Sequence, residues 1–140
     1  MNYSNFEDFL TGYKACALWS SVDDNDVPFD EDYSLLDLRL SESDVLELVG
    51  FFLDEKELIE SYIYNIEDED IDTPYEYLGY DLWLTRNGHW DGEFSRKGIN
   101  LPEGERDRGL GELGEKLTKI AEDMGSTDVY VGGDNLLYLT

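Results

Sequence analysis

The sequence predicts an α+β domain in which about three amphipathic helices pack on one face of a small antiparallel sheet of three to four strands. Three observations carry this. Apolar residues recur at spacings of three and four in three separate stretches, and short period-two or β-branched runs flanked by glycine follow in the second half. The composition, 41% hydrophobic and 14% aromatic, supplies a core despite a formal charge of -24. A chain so acidic is disordered only when apolar and aromatic residues are scarce. At 140 residues, a single domain, residues 1–140, is the natural count.

The first helix is expected over residues 4–20. Ser4 followed by Glu7 reads as a capping box, and Phe6, Phe9, Leu10, Tyr13 and Ala17 form its apolar stripe. Residues 22–32, rich in Asp and carrying Pro28, read as a solvated loop kept extended by repulsion. Ser41 or Ser43 then caps a second helix running to about Tyr64. At about 100° per residue Val45, Val49, Phe52, Ile59 and Ile63 share one face, while Glu47 and Asp54 point nearly opposite. If straight, its roughly 22 residues make a rod of about 33 Å.

Thr73 and Pro74 resemble a short helical start, after which residues 81–85 alternate with period two. A strand is therefore expected from about Tyr80, turned at Asn87-Gly88 into a return strand over residues 90–95. Residues 96–109 form a loop. Leu110, Leu113, Leu117, Ile120, Ala121 and Met124 predict a third helix closed by Gly125. Residues 129–131 and 136–139, separated by Gly132, Gly133, Asp134 and Asn135, predict a terminal hairpin.

Charge bounds the function. The chain has 34 Asp and Glu against 10 Lys and Arg, and residues 1–80 hold 22 of those acids with only 3 bases. Such a field repels nucleic acid and anionic membrane and favours a strongly basic partner. One cysteine, Cys16, leaves no internal disulfide, and no Cys or His set has zinc spacing, so no metal or cofactor is expected. The opening residues lack a basic region followed by an apolar run, and no apolar stretch approaches about 20 residues. The expectation is a soluble cytoplasmic protein.

Asp81-Leu82-Trp83-Leu84-Thr85-Arg86-Asn87-Gly88-His89, followed by Trp90-Asp91-Gly92-Glu93-Phe94, resembles a segment of small acidic proteins encoded by tailed bacteriophages. Asp128-Val129-Tyr130-Val131-Gly132-Gly133 and the opening helix with its acidic loop are similar to the same family. The likeness covers about half the chain. It implies a phage origin and a bacterial host cytoplasm, and no chemistry.

The leading candidate site is acidic. Glu47, Asp54, Glu57 and Glu60 on the second helix, with Asp44, Asp68 and Asp70 near its ends, are placed to imitate a phosphate backbone and occupy a basic DNA-binding cleft. The expected activity is that of a non-enzymatic inhibitor of a host defence or nucleic-acid-processing protein. The plainer reading is a small structural or regulatory interaction protein whose acidity serves solubility alone.

Calcium fits the carboxylates poorly. Asp68, Asp70 and Asp72 occupy EF-hand positions 1, 3 and 5, but Thr73 replaces the turn glycine and Gly79 the bidentate Glu. The loop from Asp23 fails too, at Val27 and Pro28. His89 with Asp91, Arg86 and Asn87 suggests a general base, yet no nucleophile or positioning group is marked beside it. Cys16 reads as a buried, inert thiol. Arg96, Lys97, Arg106 and Arg108, with Trp90 and Phe94 nearby, form the one basic cluster in the chain. Against the net charge they are better suited to pairing with the domain's own acids or to a homodimer contact than to nucleic acid. Trp83, Trp19 and Tyr130 read as core or interface aromatics.

Overall fold

The three-and-four spacing of the opening residues does form a helix, α1 (Tyr3–Ser20), with Phe6, Phe9, Tyr13, Cys16 and Ala17 buried. Ser4 lies inside it and so is not its cap. The structure, a computed structural model, describes residues 3–67, 73–88 and 111–140. After α1 come two short 3-10 turns, Phe29–Glu31 and Leu35–Asp37, and a two-residue strand, β1 (Leu38–Arg39). The helices α2 (Glu42–Asp54), α3 (Lys56–Glu67), α4 (Pro74–Arg86) and α5 (Gly111–Met124) follow, then β2 (Val129–Val131) and β3 (Leu137–Leu139). No helix among the described residues is long and apolar enough to cross a membrane.

The mixed α+β class stands, with five helices among the described residues rather than about three. The sheet is also different. Its order is β1-β3-β2, with β2 antiparallel to β3 as the terminal hairpin requires but β1 parallel to β3, pairing Leu38 with Leu137 and Arg39 with Tyr138. A two-residue strand carries too little pattern to be read from sequence. The helices bury their apolar faces mostly against one another, and the sheet adds Leu38 and Leu137 at the margin of that core.

Two elements overturn the sequence reading. Residues 81–85 are not a strand: they lie in α4, where Leu78, Asp81, Leu82, Trp83, Leu84 and Thr85 are all buried. A helix packed on several sides loses the one-sided polar stripe that would reveal its period. Asn87-Gly88 ends this helix instead of turning a hairpin. Gly88 has φ 77° and its N–H donates to the Thr85 carbonyl at 3.1 Å. The positive φ that suits a hairpin equally suits a helix C-terminus. The anticipated return strand lies outside the described residues.

The second helix is two. Ser41 caps α2 as expected, its hydroxyl accepting from the Asp44 N–H at 3.1 Å while the Asp44 carboxylate accepts from the Ser41 N–H at 3.0 Å. The helix is interrupted at Glu55 (φ -104°, ψ 27°). Before the break Phe51 and Phe52 pack on Phe9 and Phe6 of α1; beyond it α3 packs on α4 and α5. The straight 33 Å rod is therefore absent.

Residues 22–32 form an ordered turn rather than an extended loop. Val22 bridges Pro28, the Asp23 carboxylate accepts from the N–H groups of Asn25 and Val27, and Phe29 is buried beside Tyr33. Apolar anchoring outweighs carboxylate repulsion here. Gly125, at φ 81°, closes α5 as its position predicts.

Candidate functional site

The seven carboxylates singled out from sequence do not form one row. Asp44 is half-buried and engaged in the α2 cap. Glu47 stays at the surface, its side chain 41% exposed, but its Oε1 lies 2.7 Å from the Arg86 guanidinium, which offsets its charge. Asp54 at the end of α2, and Glu57 and Glu60 on α3, stay exposed. Glu60 meets Lys56 at 3.8 Å, a loose pair with both side chains largely in solvent and of small energetic consequence. Asp68 and Asp70 lie outside the described residues, as do His89, Asp91 and the four bases of residues 96–108.

Of the seven, Asp54, Glu57 and Glu60 thus remain outward with no buried base beside them, and Glu42 at the start of α2 is exposed as well. The ordered turn adds Asp24, Asp26, Asp30, Glu31 and Asp32, all exposed. This second group is held on backbone fixed by the buried Phe29. Two ion pairs join described side chains, Arg86 with Glu47 and Lys56 with Glu60. Among the described residues, most acids have no described base within ion-pair distance.

Arg86 is what the sequence reading missed. Its side chain is 6% exposed and its guanidinium gathers four elements. Nε donates to the Gly125 carbonyl at 2.8 Å, one terminal nitrogen to the Tyr13 hydroxyl at 3.0 Å and to Glu47, and the other to the Met124 carbonyl at 3.1 Å. The two carbonyls are those left open at the end of α5, where a cation is favoured. The sequence signal, an arginine in the last turn of a largely apolar helix, is hidden by the period-two run of residues 81–85 that precedes it.

Beside Arg86 is a polar cavity of about 190 Å³, lined among others by Tyr13, Ser43, Glu47 and Thr127. Burial pushes the Tyr13 phenol up to about 12, against the pull of Arg86. Burial by itself would loosen the proton of Arg86, but Tyr13 and Glu47 outweigh it and the guanidinium holds its charge more firmly than usual. Neither group exchanges a proton near neutral pH, and Arg86 uses four of its five N–H bonds inside the fold. Asn87, once grouped with His89, likewise does structural work: its side chain donates to the Trp83 carbonyl and accepts from the Thr127 N–H.

Among the described residues, no group of three or more His, Cys, Asp or Glu is placed to hold a metal. Cys16 is buried, as expected of an inert thiol, with its Sγ 3.8 Å from the Tyr80 carbonyl. Trp83 is a core residue, its indole N–H donating to Ser20 at 2.9 Å, whereas Trp19 and Tyr130 are exposed. No protein-family model matches the chain, and no curated protein or solved structure shows significant similarity to it.

Proposed function

We propose that this chain is a phage-encoded, non-enzymatic inhibitor that acts as an acidic DNA mimic, occupying the basic DNA-binding surface of a host defence or nucleic-acid-processing protein. One observation carries the reading: Asp54, Glu57, Glu60 and the acids of residues 24–32 are exposed on backbone fixed by buried side chains, and among the described residues only Lys56 pairs with any of them. A cleft lined by Lys and Arg binds DNA largely through its phosphates and the release of their counterions. Carboxylates held in place before binding exploit the same field without an ordering penalty. Glu47 contributes less to this field, because Arg86 offsets its charge.

The test is capture from bacterial lysate on the immobilised chain at about 50 mM and about 500 mM salt, since screening shortens the range of exposed charges from more than 10 Å to a few ångströms over that interval. DNA-binding proteins are expected among those retained at the lower concentration and released at the higher. Recovery of no DNA-binding protein at the lower concentration would contradict the proposal.

A further inference from the structure

Charge steers a partner but does not fix which one binds; that requires buried apolar contact. On α2 the side turned away from the core is not acidic along its crest. Leu46 is 62% exposed and Leu53 48%, seven residues apart, and Gly50 stands between them on the same side. At about 100° per residue these three positions point opposite to the buried Leu48, Phe51 and Phe52.

Gly50 is the informative member. Glycine is the weakest helix former after proline, and nothing inside the fold requires it here. A Cβ at this position would meet only the Asp54 carboxylate, at 4.0 Å. The missing side chain leaves a notch between two leucines, where another backbone can approach closely.

We propose that the Leu46–Gly50–Leu53 stripe seats a basic amphipathic helix of the protein partner, its apolar ridge entering the notch and its Lys and Arg reaching the exposed Glu42 and Asp54 of the same helix. The inference rests on the proposed function and deepens it by naming the partner's element. Charge complementarity selects the occupant. A second copy of this chain would bring a formal -24 against -24, whereas a helix with a leucine ridge and basic flanks satisfies both the stripe and the carboxylates.

The experiment uses the whole chain and a designed 18-residue Leu/Lys helical peptide, with a scrambled peptide of identical composition, followed by fluorescence anisotropy at about 50 mM and about 500 mM salt. Leu46→Ser with Leu53→Ser is expected to weaken the helical peptide at least about tenfold. Gly50→Gln fills the notch with a better helix former, so it should weaken binding about fivefold while raising the melting temperature, which separates lost docking from lost folding. The scrambled peptide should bind weakly. Equal binding of the two peptides, or leucine variants within about twofold of the native chain, would overturn the seat. So would dimerisation of the free chain that vanishes in the leucine variant. A complex that loses tenfold on leucine substitution yet ignores salt would support the seat while contradicting the electrostatic reading of function.

Discussion

Arg86 places a permanent charge on a side chain that is almost fully covered, and the molecule is built to receive it. Two α5 carbonyls, the Tyr13 hydroxyl and Glu47 take up its donors, so α1, α2, α4 and α5 meet at one side chain. Lysine keeps the charge but not the planar fork and cannot reach both carbonyls and both side chains together. Arg86→Lys should therefore destabilise the fold by about 2–3 kcal/mol in chemical denaturation. A change under about 0.5 kcal/mol would mean that the fork is ornamental.

Tyr13 adds a pH dependence of definite sign. Its folded pKa is raised to about 12 from the ordinary 10.0, mainly by burial. The unfolded chain thus loses this proton first. The stability Tyr13 contributes is complete below about pH 10 and lost as pH climbs towards about 12, a fall of about 2–3 kcal/mol. Denaturation curves collected across that window check it, and Tyr13→Phe should flatten the dependence.

Elements were legible from sequence where one face meets the core and the other meets water. The first helix, the cap at Ser41, the stop at Gly125 and the terminal hairpin all have that character. α4 does not, because α1, α3 and α5 cover it. Its buried Asp81 accepts from the Tyr62 hydroxyl, so polar residues of this helix face inward as well. The break at Glu55 was hidden for a different reason: the apolar spacing runs on across it, and only the change of packing partner divides the helix.

The close backbone approach of two helices is equally silent in the sequence. α1 and α4 meet through Gly12 and Gly79, where an added Cβ would run into the Glu76 carbonyl from one side and the backbone of Phe9 and Tyr13 from the other. Backbone cannot give way as a flexible side chain can. Gly79→Ala should cost about 3 kcal/mol or more, with a matching loss of helical signal on mild heating. An unchanged melting curve would show that the two helices can separate freely.

At the scale of the whole molecule the acidity works against folding. Exposed carboxylates outnumber bases, and screening their repulsion should raise the melting temperature as salt increases from about 10 mM to about 500 mM. A melting temperature that drops instead would show that the Arg86 and Lys56 pairs outweigh the repulsion. The candidate site was half legible from sequence. Asp54, Glu57 and Glu60 are outward as expected, but Asp44 is committed to a cap and Glu47 to Arg86, and both commitments depend on elements brought together from afar. Charge can be counted in a sequence. Which charge is cancelled depends on the fold.

The most direct measurement is competition between duplex DNA and the native chain, or its Asp54→Asn, Glu57→Gln, Glu60→Gln variant, for a captured basic partner. Duplex DNA should displace the native chain, and the variant should bind at least about tenfold more weakly without any loss of melting temperature. Simultaneous binding of DNA and the native chain, or equal binding of the variant, would contradict the account.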